Sequence, residues 1–397
     1  MKILLLCTYP YRDGRHGGQI RVANLIECYR NAGFSVDVAG VLGSANYPKS
    51  EGFVAYPGLQ ALSAVIANPF LMEDVALGQL FAEDDSCYCQ LAVKIQSEPD
   101  VIHVEQPWLF GFVQRLVADK GWCNTKILYG SQNIEYQLKA KILAPHLPPA
   151  RVEKYVDKVQ QLELAATLQA DAVVCVSEHD LQWTRQRTQA PSMVAANGVS
   201  PWSVTSKGID GANKISGCRK FALFCASAHP PNMEGFFELL GDGFGSLSQD
   251  QRLVIAGSAG PAITGDARLA ASARLAEGVV SAGIVGNDCL GGLLETAHCI
   301  VLPVTQGGGT NLKTAEALWA GRHIVSTSTA MRGFEQFIDS PGVFVSDQPA
   351  VFKQNLRLAM AAPPLRLSSE DRKKRALVLW SHTLKNLPRF IMDKLKC

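Results

Sequence analysis

The chain alternates short, wholly apolar runs with amphipathic ones, and it does so in two separate series. "KILLLCTYP" (residues 2–10) reads as a buried strand closed by Pro10, and "RVANLIECYRNAG" (21–33) as an amphipathic helix ending at Gly33. "SVDVAGVL" (35–42) then returns as a second strand. Strand, helix, strand in this order is a βαβ unit, which requires a parallel sheet with right-handed crossovers. "DVIHVE", "TKILYGSQN" and "DAVVCVSE" continue the first series up to residue 178. Residues 200–220, "SPWSVTSKGIDGANKISGCRK", carry Ser, Gly and Lys with little apolar periodicity and read as a linker. Beyond them a new series runs through "FALFCAS", "RLVIAGS", "GIVG", "CIVLPV", "HIVSTS" and "VFVS". At 397 residues the chain fits two domains. Two Rossmann-like, doubly wound α/β domains are expected, and ligands of such sheets sit outside the carboxyl ends of the strands.

Composition narrows what those ligands are. A net charge of +2 gives no general electrostatic case for nucleic acid, so any polyanion has to be met locally. The amino-terminal apolar run is too short for a membrane span and lacks a signal-peptide cleavage site, so it reads as a first buried strand in a cytoplasmic protein. Eleven cysteines, an odd number, are scattered, and Cys7, Cys175, Cys225 and Cys299 fall inside strand-like runs, as core packing in a reducing compartment does. Cys87 and Cys89 form one close pair without a second Cys/His pair nearby, a poor zinc pattern. HExxH, the Walker lysine loop and CxxC are missing from the sequence.

The informative residues lie where the strands end. After the first strand, Gly17 and Gly18 immediately precede a helix, offering free backbone N–H groups at a positive helix end that suits phosphate. The stretch is not GxGxxG, and Gly40 stands where a dinucleotide fold ends its second strand on an acid, so a nicotinamide cofactor is the weaker reading. In "VTQGGGTNLKTAEALWAG" (304–321), glycines 307–309 allow close approach, and Thr310 or Asn311 can cap a helix running to Gly321. Lys313 stands in that helix's first turn, where it opposes the helix dipole and calls for an anion, and Glu316 shares its face. A cation and a carboxylate beside a bare loop match the phosphates and ribose hydroxyls of a nucleoside diphosphate; a solvated Lys/Glu pair is the alternative.

"GGGTNLKTAEALWAGRHIVST" followed by "MRGFE" resembles the donor-site signature of retaining GT-B glycosyltransferases of glycosyltransferase family 4. "GGQIRVANLIECYRNAGFSVDV", "PDVIHVEQP", "SQNIEY", "ADAVVCVSEHD", "ANGVS", "SAHPPNMEGFFELL" and "LVIAGS" agree in order, so the resemblance spans residues 1 to about 340. It implies the GT-B fold, two Rossmann-like domains facing a central cleft. The expected division is an acceptor domain (1–204), a donor domain (205–375) and a terminal segment (376–397) that returns to the first domain with Trp380 as its anchor. The resemblance further implies that Lys313 neutralises the diphosphate and Glu316 binds the ribose. Gly308, Gly309, Thr310 and Asn311 would line the diphosphate and sugar, Ser227, Asn232 and Gly257 would face the donor, and the backbone around Val285 would meet the base. Gly17 and Gly18 would approach phosphates or sugar from the other domain. The implied activity is transfer of a hexose-type sugar from a UDP- or GDP-linked donor, with retained configuration, to a glycan or lipid-linked acceptor. Surface polysaccharide assembly at the inner face of a membrane is the implied setting. No cofactor or metal is expected, and no DxD motif is present to hold one.

Departures from the pattern bear on the site. Gly308 stands where many members carry a glutamate touching the donor sugar, His229 where a basic residue is frequent, and Gln132 where a histidine commonly follows its strand. Asn133 and Glu135 remain as polar groups for acceptor or donor, Arg21 faces either an acceptor phosphate or solvent, and His103 reads as structural. Residues 53–82, apolar at helical spacing, could form an acceptor groove, a membrane-facing helix or plain core. Lys139, Lys141, Arg151, Lys154 and Lys158 could meet anionic lipid or an acidic glycan, but the interleaved Glu135, Glu153 and Asp157 favour a solvated helix. A non-catalytic nucleotide-sugar-binding protein, a GT-B-like nucleotide-sugar epimerase and an NAD(P) enzyme are the competing readings.

Overall fold

A computed structural model describes residues 1–12, 14, 16–67, 69, 71–241 and 247–395. The chain divides into two compact units, Met1–Ala196 with Thr383–Cys397, and Asn197–His382.

The first unit is built on a seven-stranded parallel sheet. Its strands are β1 (Lys2–Cys7), β2 (Ser35–Val41), β3 (Phe53–Val54), β4 (Val101–Glu105), β5 (Lys126–Ser131), β6 (Ala172–Cys175) and β7 (Ser192–Val194), in the order β3-β2-β1-β4-β5-β6-β7. β1 is therefore a central strand, and Ile3, Leu5 and Leu6 are wholly buried there, each contributing about 1.5–3 kcal/mol. The strand order reverses between β1 and β4, which opens a crevice at their carboxyl ends. Residues 53–82 form the helices Leu59–Val65 and Glu73–Glu83, and Leu62, Met72, Val75, Leu77, Leu80 and Phe81 pack into the core cluster beside this sheet. Among the three readings of that segment, core is the one observed. No helix of the described residues is long and apolar enough to cross a membrane.

The second unit carries a six-stranded parallel sheet of β8 (Lys220–Cys225), β9 (Gln251–Ala256), β10 (Val279–Gly283), β11 (Cys299–Leu302), β12 (His323–Ser326) and β13 (Val343–Val345), in the order β10-β9-β8-β11-β12-β13. Its reversal falls between β8 and β11. β10 lies ahead of the expected "GIVG" and ends at Gly283, where φ is +62°. The less apolar "VVSAG" takes the edge position, which exposes its side chains and weakens the periodicity that would mark it.

The linker expected at 200–220 is largely a helix, Ser206–Ser216, capped by the Thr205 hydroxyl on Gly208 N at 3.0 Å and ended by Gly217 in the left-handed conformation. Its buried face is Gly208, Ala212 and Ser216, small residues four apart. That stripe lies against the helix Asn287–Thr296: a Cβ on Gly208 would stand 2.2 Å from Asp288 O, and one on Gly292 would stand 2.1 Å from Gly208 O. Close backbone contact replaces bulky apolar packing here, so the segment lacks a hydrophobic signature.

The terminal segment also departs from expectation. Val199 N donates to Val378 O at 2.9 Å and Trp380 N to Val199 O at 3.2 Å, which binds residues 378–380 to the second unit. Trp380, expected as the anchor on the first unit, is buried and belongs to the second unit. That role falls to residues nearer the carboxyl terminus: Leu384, Leu387 and Ile391 are buried, and Cys28 Sγ contacts Leu384 O at 3.6 Å.

Candidate functional site

Beyond the carboxyl ends of β8 and β11, at the reversal of the second sheet, lie Ser227, Asn232 and the 308–316 stretch, part of the set for which a donor role is expected from sequence. Asn311 caps the helix Leu312–Ala320, its Oδ1 accepting from Lys313 N at 3.1 Å, and Gly321 closes it in the left-handed conformation. The glycine loop before the cap uses backbone angles that other residues rarely adopt, φ +141° at Gly307 and +56° at Gly309. Thr310 Oγ1 accepts from Asn197 Nδ2 at 2.8 Å. Lys313 Nζ reaches back to Asn232 Oδ1 at 3.3 Å, while Asn232 Nδ2 donates to Ser227 O at 2.9 Å and lies 3.3 Å from Ser227 Oγ. Three separated pieces of sequence are thereby joined: the end of β8, the first turn of the helix Pro230–Leu240 and the first turn of Leu312–Ala320. Gly235 permits it, since a Cβ there would stand 2.0 Å from Pro303 O.

Burial sets the electrostatics of this group. It lowers the Lys313 pKa, although Cys225 and Glu316 act to raise it, and it raises Glu316 to about 7 against the pull of Lys313. His229, which stands where a basic residue was sought, is held to its neutral form by burial and by Lys313, so it adds no charge at neutral pH. An amide oxygen is a weak match for an ammonium group, and a ligand anion would be a stronger one.

Arg332 was not singled out from sequence. Its Nε donates to Gly309 O at 2.9 Å and its second terminal nitrogen to Gly307 O at 2.8 Å, so the guanidinium holds the glycine loop and sets a second positive charge beside it. The arginine of "MRGFE" was the available signal, but only folding brings it to the loop. Gly257, after β9, has φ +100°, and a Cβ would stand 2.2 Å from Ala226 O, so close strand-end packing accounts for its bareness. Val285 follows β10 and is partly buried, and its neighbour Ile284 is 84 % exposed. Among the described residues, no group of three or more His, Cys, Asp or Glu side chains is placed to hold a metal ion.

In the first unit the expected residues fall into two sets. Gly17 and Gly18 begin the helix Gly17–Asn31, whose first-turn N–H groups are without helical partners. Gly18 also has an internal reason to be bare: a Cβ would meet the Tyr9 ring at 2.7 Å. Arg21, expected at an acceptor phosphate or in solvent, is not in solvent. It is wholly buried, with Nε donating to Glu105 Oε2 at 3.2 Å and its first terminal nitrogen donating to Ala195 O at 2.8 Å. The hydrophobic face of the helix carries it inward, where Glu105 at the end of β4 compensates its charge. His103 completes this cluster as a structural residue, Nδ1 lying 2.8 Å from Tyr29 Oη and Nε2 3.1 Å from Glu105 Oε1. Burial works to raise the Glu105 pKa, but Arg21, His103 and Gln132 outweigh it and bring the carboxyl to about 2.

Asn133 and Glu135 sit together after β5, with Asn133 Nδ2 donating to Glu135 Oε1 at 3.0 Å. Glu135 is 2 % exposed, burial raises it to about 7, and Asn133 is the more exposed member of the pair. Glu163, also raised by burial to about 8, caps the helix Glu135–Leu143 by accepting from Glu135 N at 2.8 Å and Tyr136 N at 3.2 Å. Within the basic cluster, Lys139 is buried, with Nζ 2.7 Å from both Leu71 O and Asp74 Oδ2. The remainder of that cluster lies on mixed-charge helix surface.

Two doubly wound parallel sheets, the second with a partly buried lysine and a glycine loop at its reversal, make an α/β protein of GT-B architecture. Residues 219–361 match the model of the family described as glycosyl transferases group 1. Solved structures with the same fold across nearly the whole chain include sucrose-phosphate synthase from Thermosynechococcus elongatus, with TM-score 0.68, 14 % identity and coverage of 99 % of this chain and 98 % of that one. Anabaena HepE in complex with UDP-glucose gives TM-score 0.57 and 11 % identity, covering 100 % of this chain and 96 % of that one. The catalytic domain of starch synthase IV from Arabidopsis thaliana, bound to ADP and acarbose, gives TM-score 0.60 and 11 % identity, with 99 % of both chains covered. No curated protein matches the chain.

Proposed function

We propose that the protein is a retaining glycosyltransferase that moves a hexose-type sugar from a UDP- or GDP-linked donor to a glycan or lipid-linked acceptor, without a metal. The observation that carries this reading is Lys313, a partly buried ammonium group beside the glycine loop whose hydrogen bond goes to the neutral Asn232. A donor diphosphate would take the place of that amide as partner. Negative charge builds on the leaving diphosphate as the bond to the sugar breaks, and Lys313, Arg332 and the start of the helix Leu312–Ala320 are placed to stabilise it. Glu316, one turn further on, is suited to ribose hydroxyls, and the backbone near Val285 to the base. With Gly308 in the loop, sugar contacts would come from backbone amides and Thr310. The solved neighbours that bind UDP-glucose and ADP support a nucleotide ligand for the same fold. Work at the inner face of a membrane, in surface polysaccharide or glycoconjugate synthesis, fits this donor class and acceptor.

The test is thermal stability in the presence of UDP, GDP, ADP, CMP or NAD at about a hundredfold over a micromolar affinity, where linkage gives roughly 2.7 kcal/mol of stabilisation. A rise with UDP or GDP that Lys313→Ala abolishes is expected. A rise with NAD alone, or none at all, would remove the transferase reading.

A further inference from the structure

Three carboxamides gather at the carboxyl ends of β4 and β5 in the first unit. Gln106 comes directly after β4, Gln132 and Asn133 directly after β5, and all three are partly exposed. Each turns its NH2 group toward a buried carboxylate. Gln132 Nε2 donates to Glu105 Oε2 and, at 2.8 Å, to Tyr9 Oη. Asn133 Nδ2 donates to Glu135 Oε1 at 3.0 Å, and Gln106 Nε2 approaches the same oxygen at 3.5 Å.

The carboxylate decides which way Gln132 points. Glu105, held ionised by Arg21, His103 and Gln132, only accepts, so the NH2 side of Gln132 must face it and the carbonyl oxygen must lie on the other side of the group. Gln132 has committed both of its N–H bonds, which leaves its carbonyl as the atom it can offer a ligand. Asn133 and Gln106 each keep a carbonyl and one further N–H. The cations bordering the cluster are turned elsewhere: Arg21 to Glu105 and Ala195 O, Lys139 to Asp74 and Leu71 O. An anion placed here would meet the Gln132 carbonyl oxygen backed by ionised Glu105, whereas hydroxyl groups would find both acceptors and donors.

Position and strain point the same way. Gln106 borders the reversal between β1 and β4, where sheets of this kind bind ligands. Its φ is +66°, a left-handed conformation that a glutamine rarely adopts and that the surrounding bonds must hold. Gln106 N donates to Gly130 O at 2.9 Å, which locks the strained residue to the neighbouring strand.

We propose that Gln106, Gln132 and Asn133 form a subsite for a neutral, hydroxyl-rich sugar and select against phosphorylated or carboxylated ones. Only the naming of that sugar as the acceptor rests on the transferase reading. The test is an array of neutral, phosphorylated, sulfated and uronic-acid glycans probed with the full chain and with Gln132→Leu, Asn133→Leu and Gln106→Leu, each checked for native circular dichroism. Neutral glycans should be retained, and affinity should fall about tenfold or more in any variant that folds, as loss of a ligand hydrogen bond would give. The thermal shift with UDP or GDP should persist in the same variants. Preference for anionic glycans, retention of no glycan, or unchanged binding in every folded variant would overturn the subsite. Glycan binding without any nucleotide shift would instead sink the transferase reading and leave the subsite standing.

Discussion

Both units place a basic residue and a carboxylate near the end of a central strand, yet the two pairs are buried and bonded differently. In the first unit Arg21 and Glu105 are wholly buried and bonded to each other, with Ala195 O, His103 and Gln132 completing the cluster. In the second, Lys313 and Glu316 are only partly buried, and the lysine bonds to an amide. The charges of the first cluster are compensated by its own members; in the proposed function the second would give its charge to a ligand. Under that proposal, internal compensation separates a structural ion pair from a binding one better than residue type does.

The contrast is most sharply broken by Arg21→Met. Removing one member of a buried pair strands the other, so a loss of about 3–5 kcal/mol in urea unfolding is expected, while any folded fraction keeps its nucleotide response. Lys313→Ala should do the reverse. It should weaken UDP or GDP binding by about 1.5–3 kcal/mol in calorimetric titration and leave the unfolding midpoint unchanged or higher, because a desolvated ammonium is lost. Equal stability losses in the two variants would erase the distinction. Asn311→Ala removes the cap of the site helix and should cost about 1 kcal/mol of stability, with a smaller effect on nucleotide affinity.

The weakest expected effect is a dependence on pH. Burial raises Glu135 and Glu316 to about 7 and Glu163 to about 8, against an ordinary 4.5. The folded chain then holds more protons than the unfolded one between those limits, so stability should fall as pH rises through that window. Glu105 runs the other way: held at about 2, it contributes stability above its unfolded value that is lost as pH falls toward 2. Thermal midpoints across the neutral range for Glu316→Gln and Glu163→Gln test the first statement. Each substitution should flatten the slope, and an unaltered slope in both would show that these carboxyls titrate normally.

Much of the fold could be read directly because parallel strands buried on both faces leave continuous apolar runs, as "KILLLC" and "CIVL" do. The short edge strands β3 and β7, two and three residues long, leave too little pattern to register. The core of the donor site was legible for a different reason. A lysine and a glutamate one turn apart behind three glycines are odd in any fold, and the structure joins Lys313 to Asn232 and Asn232 to Ser227. Arg21 misled because an arginine on an amphipathic helix looks solvated until its partner, 84 residues away, is known. Arg332 escaped notice because its partners are backbone carbonyls, which no sequence pattern records.

The helix Ser206–Ser216 carries a practical consequence. Polar and glycine-rich, it looks like the natural place to nick the chain, graft a tag or splice in another domain. The backbones at Gly208 and Gly292 nearly touch, so there is no slack for a protease to draw the strand out or for an insert to push it aside. Limited proteolysis should spare this stretch, and an engineer looking for a permissive site in this protein should look elsewhere.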